Sequence, residues 1–153
     1  MSTIIYLDLC CLKRPFDDGT AVRVRGEAEA VAAIMALAES GEVNLVYSSA
    51  HDLENNRNPR EDRRLTIWLW LQTAAIHLKT NPAITARGRE LSALGFRTLD
   101  ALHLAFAEAA AARWFVTTDD RLLKLGVRHR ANLIVEVAGP HHARHEIEGR
   151  TTS

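Results

Sequence analysis

Asp8, Glu54, Asp100 and Asp119 are scattered along the chain, yet each stands where a strand ends or a helix begins. Asp8 closes the apolar run Ile4-Ile5-Tyr6-Leu7, and Asp119 follows Trp114-Phe115-Val116 after two threonines. In open α/β sheets ligands bind in the crevice beyond the carboxyl ends of the strands, so acids delivered there from different elements can meet at one point. Carboxylates brought together raise one another's pKa unless a cation neutralises them, and hard oxygen donors select Mg²⁺ or Mn²⁺. Taken singly, each acid also has a plain structural use. Asp8 can open a turn, Asp100 can satisfy a helix amino terminus, and Asp119 or Asp120 can cap a helix beginning at Arg121. Their shared placement is what points to one divided metal site.

The elements that must position these acids read as an α/β alternation. Apolar runs near residues 3–7, 43–47, 114–117 and 133–137 are short and rich in Val and Ile, the pattern of strands in a buried parallel sheet. Between Thr20 and Ser40, Val24, Ala28, Val31, Met35 and Ala38 recur at helical spacing, and Gly41 supplies the stop. Ser49 and Asp52 have capping-box spacing for a short helix that carries Glu54 and ends before Pro59. A second helix runs from Arg60 to Leu71 with Leu65, Trp68 and Leu69 inward, which leaves Trp70 for an exposed partner surface. A third spans Ile84 to Leu94, closed by Gly95. Thr98 can cap the next, Leu99 to Ala112, with Asp100 in its first turn.

At 153 residues the chain suits one compact domain able to bury roughly two-thirds of its unfolded surface. Lys plus Arg equals Asp plus Glu at 19 each, so no global field recruits a polyanion, and any nucleic-acid site must be a local patch. Adjacent Cys10 and Cys11 suit neither a disulfide nor a zinc site, and read as small buried residues in a reducing compartment. No segment has the apolar length of a membrane span, which gives the expectation of a cytoplasmic protein with no membrane contact. The polar stretch 141–153, with His141, His142 and His145, reads as a frayed tail outside a single domain of residues 1–140.

Four stretches, in order, resemble the PIN-domain family, the fold of many prokaryotic toxin ribonucleases of the VapC type. They are Ile5-Tyr6-Leu7-Asp8; Ser49-Ala50-His51-Asp52-Leu53-Glu54; Leu99-Asp100-Ala101-Leu102-His103-Leu104-Ala105; and Val116-Thr117-Thr118-Asp119. The third is the most characteristic. The resemblance implies a three-layer α/β/α sandwich around a central, mostly parallel sheet, in a Rossmann-like or flavodoxin-like arrangement. It further implies that Asp8, Asp100 and Asp119 hold one or two Mg²⁺ or Mn²⁺ ions, with Glu54 supporting the ions or orienting a water. Thr117 would hydrogen-bond the cluster, and Asp120 would be a supporting fifth acid. The implied activity is hydrolysis of RNA phosphodiester bonds, with an RNA substrate, a homodimer and, for the toxins of the family, an antitoxin protein. The loop Lys13-Arg14-Pro15-Phe16-Asp17-Asp18 departs from the commoner toxin pattern.

Of the cations, Lys13 and Arg14 lie nearest Asp8 in sequence, and Arg57 leads the group Arg57, Arg60, Arg63 and Arg64 just beyond Glu54; these are the expected phosphate contacts. His103, three residues after Asp100, can face the site, although such a residue more commonly packs against a strand with one hydrogen bond. Two other readings compete. A haloacid-dehalogenase-like phosphatase would need a second acid two positions after Asp8, where Cys10 stands. A catalytically silent PIN-like scaffold that binds RNA or a partner would ordinarily have lost an acid, and all four are present.

Overall fold

The computed structural model describes residues 3–151. Five strands, β1 (Thr3–Leu7), β2 (Val43–Ser48), β3 (Ile76–Leu78), β4 (Trp114–Val116) and β5 (Glu136–Ala138), form one sheet in the order β3-β2-β1-β4-β5, and every pairing is parallel. The helices are α1 (Leu9–Lys13), α2 (Val22–Glu39), α3 (Ser49–Asn55), α4 (Glu61–Gln72), α5 (Pro82–Ala93), α6 (Thr98–Ala109), α7 (Asp120–Arg128) and α8 (Pro140–Thr151).

Alternation along β1 and β4 sorts the helices into two layers. Ile5, Leu7, Trp114 and Val116 face α1, α2, α4 and α8, through Leu9, Leu12, Val31, Ile34, Ile67, Leu71, Ala143 and Ile147. Tyr6 and Phe115 face the opposite way, among Ala50, Ile84, Leu91, Leu104, Phe106 and Leu122 of α3, α5, α6 and α7. The expected three-layer α/β/α sandwich is therefore what the chain forms. Strand order reverses between β1 and β4, which places a topological switch point beyond Leu7 and Val116. Gly41 and Gly95 end their helices at φ of +83° and +114°, a backbone region nearly closed to other residues.

Several local expectations are corrected. β3 stands in a stretch that had suggested no strand; it is a short edge strand whose central His77 is exposed. β5 begins later than the apolar run at 133–137 suggests, because the Ile134 N–H donates to Glu108 Oε2 and not to a strand. Arg97, not Thr98, is the N-cap of α6. The capping box of α3 is one residue earlier than Ser49 and Asp52: Ser48 is the N-cap, and its N–H donates to His51 Nδ1 at 3.1 Å. On α4 the inward line is Ile67, Trp70 and Leu71, with Trp70 stacked on Phe16 at 5.6 Å, while Leu65, Trp68 and Leu69 are 52%, 44% and 59% exposed.

The expected frayed tail is corrected through residue 151. Ala143 and Ile147, four residues apart, put one face of α8 into the core beside α2 and β4, and the Arg150 guanidinium lies over the Trp114 ring at 5.2 Å. Residues 152–153 of that expected tail lie outside the described residues. Ile147→Ala should cost about 2–5 kcal/mol in a denaturant melt; a change under ~0.5 kcal/mol would show that α8 lies outside the cooperative unit.

Candidate metal centre

Asp8 lies at the switch point because the chain must turn from β1 into α1 there. Its N–H extends the ladder to Val116 O at 2.8 Å, and its Oδ1 accepts from Leu9 N–H at 2.9 Å as the N-cap of α1. The carboxylate is 4% exposed, and its Oδ2 accepts from the Thr117 hydroxyl at 2.8 Å and the Cys10 thiol at 3.3 Å. Thr117 Oγ1 also accepts from Asp119 N–H at 3.1 Å, so one hydroxyl joins the end of β1 to the turn after β4. Burial pushes the Asp8 pKa up; His103 draws it back, Glu54 pushes it further up, and the Thr117 and Cys10 hydrogen bonds draw it down.

Glu54 and His103 meet Asp8 from α3 and α6. One donor atom from each of the three lies within 4.8 Å of the others, and His103 Nε2 is 3.0 Å from Glu54 Oε1. Behind the imidazole runs a buried polar chain: His103 Nδ1 bonds the Tyr6 hydroxyl, which lies 2.7 Å from Ser48 Oγ. Beside it, His51 Nδ1 accepts from Ser48 N–H, so its proton sits on Nε2 and is donated to Leu7 O at 2.8 Å. Burial holds His51 neutral, with a pKa near 3. The rings also pack together, Tyr6 stacked on His51 and His103 edge-on to both, along the α3–β1–α6 seam.

Asp100 comes from the first turn of α6, where the helix dipole favours a carboxylate. Its pKa is nevertheless raised to about 6, first by burial and then by the charge of Asp8, with Asp119 and Glu54 adding to the rise and His103 opposing it. Asp119 caps α7, and its Oδ1 accepts from Arg121 N–H at 2.9 Å and Leu122 N–H at 3.3 Å. Asp8 and Glu54 thus meet with His103 in one close group, while Asp100 and Asp119 stand at the same end of the sheet outside that group, and Lys13 Nζ lies 4.0 Å from Glu54 Oε2. A divalent cation fits here, because donor atoms of Asp8 and Glu54 stand within 4.8 Å of one another and it would offset the charge that adds to the burial of Asp100.

The remaining expected residues are placed elsewhere. Asp120 is 61% exposed and pairs with Arg23 at 2.7 Å. Arg14 bonds Asp17 at 3.0 Å and buried Glu27 at 3.2 Å, so the loop after Asp8 is folded onto the protein by its own charges. Arg57 is exposed in the turn after α3. Two contributors exceed the sequence reading. His103 has two side-chain partners, not one, and its spacing of three from Asp100 was the signal that both share a face. Tyr6 carried no such signal, because an aromatic residue in a buried strand reads as core.

No family model matches the sequence, and no curated protein matches it. Among solved structures, a chain of the crystal structure of VapBC2 from Rickettsia felis bound to a DNA fragment from their promoter aligns with a TM-score of 0.54 at 13% identity, covering 90% of this chain and 98% of that chain. The likeness is one of fold. The parallel sheet fits the PIN-like sandwich that the four motifs led us to expect. Among the described residues no helix is long and apolar enough to cross a membrane.

A carboxyl whose folded pKa lies above its unfolded value stabilises the fold below the unfolded pKa, and that contribution is lost as pH rises through the folded one. For Asp100 the window runs from about 4 to about 6. Metal-free wild-type protein should therefore lose melting temperature across this window, and Asp100→Asn should lose less of it. Identical pH slopes for the two proteins would refute the coupling.

Proposed function

We propose that this protein is a metal-dependent ribonuclease that hydrolyses RNA phosphodiester bonds. The observation that supports the reading best is that Asp8, at the switch point of a parallel sheet, has a carboxylate oxygen within 4.8 Å of one from Glu54 on another segment, close to Asp100, whose pKa burial and the charges of Asp8, Asp119 and Glu54 raise. Structural uses do not require that meeting. Asp8 and Asp119 each cap a helix with one oxygen, Oδ1, and Asp8 Oδ2 is held by hydroxyl and thiol donors, with no Lys or Arg ion pair among the described residues. The resemblance of the four motifs to PIN domains and the fold likeness to VapBC2 lend independent support.

Asp8, Asp100 and Asp119 would hold Mg²⁺ or Mn²⁺, with Glu54 supporting. When bound, the cation supplies charge neutralisation at the phosphate and makes water more acidic. The chain's own contributions are orientation and polarity. Thr117 fixes Asp8 Oδ2 through a hydroxyl that a strand-end backbone positions, and Glu54 Oε1 stands 3.0 Å from His103 Nε2. Lys13, half-exposed beside Glu54, would meet a phosphate at the rim, and Arg57, exposed in the turn after α3, would be a second contact. The exposed apolar residues Leu53, Leu65, Trp68 and Leu69 on α3 and α4 would suit a protein partner, either the homodimer that the family resemblance implies or the antitoxin that the toxin reading requires.

Purified wild-type protein should cleave RNA only with Mg²⁺ or Mn²⁺ present. Asp8→Asn and Asp100→Asn should each lower the rate at least ~100-fold, the scale of several kcal/mol of transition-state charge stabilisation, while circular dichroism stays native. Equal cleavage by wild type and both variants after stringent purification would sink the reading. The toxin role has its own test: expression should arrest growth, and co-expression of a neighbouring small gene product should relieve it. Unimpaired growth would remove that role and leave the nuclease chemistry standing.

A further inference from the structure

We propose that His103 Nε2 is itself a ligand of the cation, so that the centre is a mixed nitrogen–oxygen site that prefers Mn²⁺ to Mg²⁺. This rests on the reading above that the acids hold a divalent ion.

Three observations carry it. The donor geometry comes first. Two cis ligands on an octahedral cation with bonds of about 2.1 Å are separated by about 3 Å, and His103 Nε2 and Glu54 Oε1 are 3.0 Å apart with Asp8 inside the same 4.8 Å group. The second is burial: the imidazole is fully enclosed in α6, with Nε2 turned to the carboxylates and Nδ1 turned away from them.

The third is what stands behind the ring. Ligating histidines characteristically have the far nitrogen held by an outer partner that fixes the tautomer. Here Nδ1 meets the Tyr6 hydroxyl, Tyr6 meets the Ser48 hydroxyl at 2.7 Å, and Ser48 Oγ lies 3.5 Å from the unprotonated Nδ1 of His51. Hydroxyls donate and accept, so this chain can run in either direction. With Ser48 donating to Tyr6 and Tyr6 to Nδ1, Nε2 carries the proton and gives it to Glu54. With Nδ1–H donating to Tyr6 and Tyr6 to Ser48, Nε2 turns a lone pair toward the acids. The second arrangement needs no charge to be buried and no side chain to move.

Imidazole nitrogen is a poor donor for Mg²⁺ and a good one for first-row transition ions, which sets the preference. Full-length protein loaded with one equivalent of Mn²⁺ should show ¹⁴N couplings in pulsed electron paramagnetic resonance. They should be replaced by ¹⁵N couplings when histidine is ¹⁵N-labelled, and lost in Asp8→Asn, which locates the ion at this centre. By calorimetry Mn²⁺ should bind at least ~10-fold tighter than Mg²⁺, and His103→Gln should abolish that preference. Tyr6→Phe, which keeps the imidazole and removes its outer partner, should weaken Mn²⁺ ~10–100-fold. The labelled wild type keeps the test independent of whether the variants fold. Mn²⁺ bound by wild type without histidine nitrogen coupling, or an unchanged Mn²⁺/Mg²⁺ ratio in folded His103→Gln, overturns this inference and leaves the nuclease reading intact. No Mn²⁺ binding at the acids overturns both.

Discussion

Burial of neighbouring carboxylates in a poorly solvated crevice is the constraint on which the rest of this structure turns. Two like charges about 4 Å apart cost roughly 1 kcal/mol in water and roughly 4 kcal/mol at the effective dielectric of a partly buried protein site. Whole domains are stable by only about 5–15 kcal/mol. A cluster in which Asp100 is raised to a pKa of about 6 is therefore a local liability, and helix capping could be had without it. The surrounding architecture restrains the liability and does not remove it. Thr117 and Cys10 donate to Asp8, His103 donates to or faces Glu54, and Lys13 is the near cation.

The sandwich supplies the rigidity that this restraint needs. β1 is buried on both faces, and its alternation sends Ile5 and Leu7 to one layer and Tyr6 to the other. Tyr6 is thus a core residue whose hydroxyl emerges among the polar groups of α3 and α6. Buried polar chains of this kind are tolerable only when each member is satisfied, and Ser48, Tyr6, His51 and His103 satisfy one another and the Leu7 carbonyl. Packing and site geometry are consequently one problem here: the seam that closes the core also aims Glu54 and His103.

Much of this organisation was legible in the sequence because long, strongly patterned features declare themselves. The runs at 3–7, 43–47 and 114–117 and the stops at Gly41 and Gly95 reflect burial and backbone sterics, which are local. Elements set by tertiary contacts were not legible. β3 has three residues with an exposed histidine at its centre, so only its pairing to β2 makes it a strand. α8 carries just Ala143 and Ile147 inward amid polar residues, a pattern too sparse to separate from a solvated tail. On α4 two apolar lines compete, and Phe16, brought back by the turn after α1, decides for Trp70 over Trp68. The acids were legible through their positions at strand and helix ends. Asp120 adjoins Asp119 and Arg14 follows shortly after Asp8 in sequence, but Glu27, Asp17 and Arg23 claim them, and such pairings appear only in three dimensions.

The central claim is that scattered acids form one cation site. Crystals of the protein soaked in Mn²⁺ and measured at a wavelength where manganese scatters anomalously test it most directly. The account predicts an anomalous peak bounded by Asp8, Glu54, Asp100 and Asp119 at coordination distance from at least two of their carboxylates. Well-ordered crystals with no peak there, or with manganese held only by other groups, would contradict it.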